Sequence, residues 1–97
     1  MTIFVPLSLS LTDVTTMRNE VLVEFTIEPF IEGAPGEHVT AAVAAVEAMG
    51  ISVDFGPFGS TFVTTLETVG GAVGELTKVA YASGATHVSV HVERVES

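Results

Sequence analysis

The chain has 97 residues, no cysteine and a formal charge of −9, with Arg18, Lys78 and Arg94 as its only fixed cations. That length suits one domain, and the lack of thiols excludes disulfides and thiolate metal sites and fits a reducing cytoplasm. The charge repels a phosphate backbone or an anionic membrane surface and attracts small cations, and no apolar run is long enough to span a bilayer.

Residues 1–20 read as an N-terminal extension, in which Ile3 to Leu11 is a candidate extra edge strand. This stretch lacks the basic region and the cleavage site of a secretory signal. Residues 21–97 are expected to form the domain proper. Its first element, Val21 to Glu28, alternates and is rich in β-formers, so it reads as a strand. Val21, Val23, Phe25 and Ile27 share one face, and Leu22, Glu24, Thr26 and Glu28 share the other. Pro29 has no N–H to donate and ends the ladder. Glu37 to Met49 changes period: Val39, Ala42, Val43, Val46 and Met49 fall at helical spacing, and Gly50 is placed to end the helix. His38, near the helix start, is expected at the surface.

Ile51 to Phe55 alternates again and gives a second strand. Gly56-Pro57-Phe58-Gly59 is a turn, and Ser60 to Glu67 a third strand, antiparallel to the second because the connection is short. Thr68 is expected to cap a second helix, residues 69–83, with Val69, Val73, Leu76, Val79 and Ala80 as its buried stripe. Gly70, Gly71 and Gly74 weaken that helix by about 1 kcal/mol each relative to alanine, and close packing on the sheet would be a reason to keep them. Gly84 ends it. Thr86 to Val95 is a fourth strand, with Val88, Val90 and Val92 on one face and His87, Ser89, His91 and Glu93 on the other. The order βαββαβ, with right-handed crossovers, implies an α+β ferredoxin-like fold. In it both helices cover one face of a four-stranded antiparallel sheet of order 4-1-3-2.

In that order the first and fourth strands are neighbours. Glu24, Thr26 and Glu28 then lie beside His87, Ser89 and His91 on the uncovered face. Acid, hydroxyl and imidazole together suit a polar heterocycle or a cation; a solvated or subunit-covered face with ordinary polar residues is the competing reading. His87 and His91 stand about 13 Å apart along one strand, too far to share an ion, and no metal site is expected. No serine sits in a nucleophile elbow, and a Glu24–histidine pair is an ordinary surface arrangement, so the chain is not expected to be an enzyme. Gly56 to Thr61 is the sharpest motif. Its glycines permit close approach of a ligand, Phe58 offers a ring for stacking, and Ser60 and Thr61 offer hydroxyls.

Val23 to Phe30, Glu32 to Gly36, Val53 to Thr61 and Ala82 to Val90 together resemble the small thiamine-binding protein family, whose members bind thiamine or its hydroxymethylpyrimidine half. The resemblance spans residues 21–95, and the Gly-Pro-x-Gly-Ser-Thr turn is its most specific part. It implies a ferredoxin-like fold, binding without catalysis, no cofactor beyond the ligand itself, and assembly into dimers or tetramers. It points to Gly59, Ser60 and Thr61 in the turn, with Glu24 and Thr26 on the first strand, as binding groups. Asp54, His87 and Ser89 are added from the shared face and Phe58 from the turn. The chain departs from the family at Val63 and Thr64, where relatives carry an acidic residue and a glycine, and in its leading segment. The expectation is a cytoplasmic homo-oligomer that binds a thiamine-like cation and neither nucleic acid nor membrane. The alternative is a structural or regulatory protein-interaction module with no small-molecule ligand.

Overall fold

The computed structural model describes residues 19–30, 35–56 and 59–95. The leading segment, including the candidate strand at Ile3 to Leu11, lies outside the described residues, as does Phe58. The elements are β1 (Glu20–Glu28), α1 (Glu37–Glu47), β2 (Val53–Phe55), β3 (Ser60–Thr65), α2 (Leu66–Ala82) and β4 (His87–Arg94). The four strands form one antiparallel sheet of order β2-β3-β1-β4, which is the expected order read from the opposite edge. The fold is the α+β ferredoxin-like arrangement that the element order implies. Among the described residues, no helix is long and apolar enough to cross a membrane.

Strand β1 is central, hydrogen-bonded to β3 on one side and β4 on the other. Its alternation divides the molecule. Val21, Val23, Phe25 and Ile27 are at most 3 % exposed and form the middle of the core. Phe62 joins them from β3, its ring tilted at 56° to that of Phe25 with centroids 5.9 Å apart, a geometry that aromatic pairs favour. The helices close the core with Ala42 and Val46 from α1 and Ala72, Leu76 and Ala80 from α2. The buried residues of each helix recur four residues apart: His38, Ala42 and Val46 on α1, and Ala72, Leu76 and Ala80 on α2. The expected valines Val39, Val43, Val69 and Val73 flank them, half-buried. Val92, expected on the buried face, is 44 % exposed because β4 is an edge strand, paired only with β1 among the described residues.

Four local expectations are corrected. His38 is buried rather than superficial: it precedes Ala42 and Val46 at four-residue spacing, and its Nε2 lies 2.6 Å from the Pro29 carbonyl oxygen. Met49 lies past the end of α1 and is 40 % exposed. Helix α2 begins at Leu66, with Thr65 rather than Thr68 at its cap. The Leu66 amide donates to the Asn19 carbonyl at 2.9 Å, so a helix N-terminal donor finds its acceptor in the chain entering β1. The helix glycines do not pack closely on the sheet. A β-carbon at Gly70 or Gly74 would meet nothing within 4 Å, and one at Gly71 only the Met49 methyl at 3.7 Å. Gly50 and Gly84 follow the two helices at φ of +84° and +110°, as expected of residues that end helices.

Candidate functional site

Both helices cover the Val23 side of the sheet, so among the described residues the Glu24 side stays open. The register assembles it in rows. Asp54, Thr61, Glu24 and His91 are successive cross-strand partners, one from each strand. Thr26 pairs with Ser89 in the next row of β1 and β4, and Glu28 with His87 beyond it. On the other side of the Glu24 row, Leu22 pairs with Val63 and Glu93.

A groove of ≈ 520 Å³ lies on this face, within the range that small-molecule sites occupy. It is lined by Glu24, Phe25 and Thr26 of β1, by Gly59, Ser60 and Thr61 at the start of β3, and by Ser89, Val90 and His91 of β4. Phe25, Ser60 and Val90 belong by alternation to the covered side, so the strand backbone at these positions forms the groove floor. Polar side chains stand around a surface that is mostly apolar by area. Glu24, Ser89 and His91 are exposed, and Thr26 and Thr61 half-buried.

The turn that feeds β3 explains the hollow. The Gly56 amide donates to the Gly59 carbonyl at 2.9 Å. A β-carbon at Gly56 would stand 2.6 Å from that same carbonyl oxygen, so this tight crossing excludes any side chain. A β-carbon at Gly59 would stand 3.4 Å from both the Phe25 carbonyl oxygen and Thr26 Cγ2. Glycine there leaves the groove open beside Thr26.

Of the residues singled out in the sequence, Glu24, Thr26, Gly59, Ser60, Thr61 and Ser89 come together around this groove. Ser60 contributes from the covered side: it pairs with Phe25, is 5 % exposed, and its side chain projects on the face opposite that of Thr61. Asp54 shares the Thr61 row but lines a separate depression of ≈ 720 Å³ at the β2–β3 edge. His87 stands at the far end of β4, opposite Glu28, with its Nδ1 3.0 Å from the Thr86 hydroxyl, and does not line the groove. The imidazole that does is His91, the cross-strand partner of Glu24. Counting back along β4 from the register would have selected it.

No protein-family model and no characterised protein matches the chain by sequence. Its fold is similar to several solved structures. One is a domain of unknown function, DUF77, from Bacillus cereus (18 % identity, TM-score 0.61, covering 84 % of this chain and 80 % of that one). A second is a protein from Thermotoga maritima assigned provisionally to thiamine biosynthesis or salvage (20 % identity, TM-score 0.59, covering 79 % and 84 %). A third is a hypothetical protein from Methanocaldococcus jannascii (19 % identity, TM-score 0.59, covering 81 % of each). The likeness establishes the fold over most of the described chain.

Proposed function

We propose that the chain is a non-catalytic binding protein for thiamine or its hydroxymethylpyrimidine half, held in the groove between β1, the start of β3, and β4. The observation that carries this reading is the Glu24 row: a carboxylate flanked by the Thr61 hydroxyl and the His91 imidazole, above a backbone floor that Gly59 keeps clear. A flat cationic heterocycle matches that set, because its charge is met by Glu24 and its ring nitrogens and amine by hydroxyl, imidazole and backbone groups. The provisional thiamine assignment of the Thermotoga maritima protein supports the same direction. Nothing in this constellation supplies an activated nucleophile, so the reading is binding without turnover.

The reading includes a homo-oligomer, dimeric or tetrameric, working in the cytoplasm without nucleic acid or membrane partners. Strand β4 supports assembly. It spans eight residues, and its outer edge is unpaired among the described residues; a strand edge of that length invites pairing with a second chain. The same edge favours the alternative of a pure assembly module. Titration calorimetry of the full chain with thiamine separates the two. Heat of binding, with loss of affinity in Thr61→Ala, is expected. No heat and no thermal shift at millimolar thiamine, with the oligomer intact, would leave only the assembly module.

A further inference from the structure

We propose that Glu24, His91 and Glu93 form a site for a divalent transition-metal ion of the zinc or cobalt type at the β4 end of the groove. A Glu24 carboxylate oxygen, a His91 ring nitrogen and a Glu93 carboxylate oxygen all lie within 4.8 Å of one another. The register places them there: His91 is the cross-strand partner of Glu24, and Glu93 is the next residue of β4 on the same face. The about 13 Å separation that keeps His87 and His91 from sharing an ion does not apply, because the further ligands come from the adjacent strand and from the adjacent position on β4.

Three ligand atoms around a tetrahedral zinc, each at about 2.0–2.2 Å, stand about 3.4 Å from one another. All three side chains are exposed. They therefore close the remaining distance by rotating about their own χ angles, with no movement of the sheet. One imidazole and two carboxylates suit zinc, cobalt or nickel better than magnesium or calcium, which favour all-oxygen shells of higher coordination number. The electrostatics agree. Two carboxylates meet within 4.8 Å, and Asp54 lies in the same row as Glu24. Among the described residues no lysine or arginine belongs to the rows of this face: Lys78 is on α2, and Arg94 is the partner of Val21 on the other side of the sheet. Three protein ligands leave further coordination positions open on the ion.

The proposal does not depend on thiamine, and its test uses none. The full chain, without a histidine tag and stripped with EDTA, is titrated with Co²⁺ followed by visible absorption and with Zn²⁺ followed by calorimetry. One ion per chain is expected, with the His91 imidazole resonances moving in NMR spectra and those of His87 unmoved. His91→Ala and Glu93→Gln should each weaken the ion by about tenfold or more, while His87→Ala leaves it unchanged. Circular dichroism of each variant checks that the sheet persists. Absence of Co²⁺ and Zn²⁺ binding up to millimolar ion, or binding undiminished in Glu93→Gln, would overturn the proposal. Glu93 does not line the groove, so metal-free Glu93→Gln titrated with thiamine tests the heterocycle reading separately.

Discussion

Replacing Glu24 by glutamine removes one charge from the groove and almost no volume. Glu24 is exposed, so the attraction it exerts on a bound cation is screened. Two unit charges 4 Å apart interact by about 1 kcal/mol in water, and exposed pairs measured by double-mutant cycles fall at or below that value. Glu24→Gln should therefore weaken thiamine binding by about 0.5–1 kcal/mol, a two- to fivefold rise in Kd. The control is Glu28→Gln. It removes the same charge from the same face, but four residues along β1, about 13 Å away. That exceeds the Debye length of about 10 Å at 0.1 M salt, so this variant should bind as the wild type does. Calorimetry with EDTA present, at 0.05 M and 0.5 M salt, reads both effects, and the gap between Glu24→Gln and wild type should narrow at high salt. Equal losses in the two variants would mean that the acidic surface attracts the ligand in general, and the groove assignment would fall.

Gly59→Val should keep the fold and abolish ligand binding. Its side chain projects beside Thr26, where even a β-carbon stands at 3.4 Å; near-UV and far-UV spectra check the fold, and unaltered thiamine affinity would count against the groove. Leu76→Ala should destabilise by about 2–5 kcal/mol in urea unfolding, since Leu76 is fully buried between helix and sheet. Gly70→Ala and Gly74→Ala should each stabilise α2 by about 0.5–1 kcal/mol, because the added methyl meets nothing and the helical backbone gains rigidity; a lowered Tm would show that these positions are not free.

The sheet was legible because its code is short. Four alternating apolar residues in β1, a proline after it and a helical period before the next alternation left little freedom in the topology. The covered face of β1 matches the expected one residue for residue. The helices were harder, for a physical reason. Weighting by hydrophobicity favours valine and methionine for a stripe, whereas alanines are among the fully buried positions here and Val39, Val43, Val69 and Val73 are only partly buried. Ala42 and Ala80 lie on the expected stripes, whereas the fully buried Ala72 was passed over, and the four-residue series that runs through Ala42 and Val46 explains buried His38. Ser60 was read as the start of a strand, as it is, but its hydroxyl was expected to reach a ligand. Once Phe62 is assigned to the core, strand alternation carries Ser60 to the same side.

The two faces of β1 also bear on how the groove holds its shape. Glu24 and Thr26 alternate with Val23, Phe25 and Ile27, which are locked in the core, and β1 is hydrogen-bonded along both edges. Their backbone positions are therefore as fixed as the core itself. Ser89 and His91 lie on a strand that, among the described residues, is paired on one side only, where Val92 is 44 % exposed. The groove thus has one rigid wall and one wall held by a single ladder. A ligand bridging Glu24 to His91, or an ion joining Glu24 to His91 and Glu93, would tie the second wall to the first. Binding should then slow amide exchange in β4 more than in β1, since the strand with fewer partners opens first and gains most from a new tie. Hydrogen-exchange mass spectrometry with and without thiamine, and with and without Zn²⁺, measures this directly. Protection spread evenly over both strands, or confined to β1, would mean that β4 is no part of the binding surface.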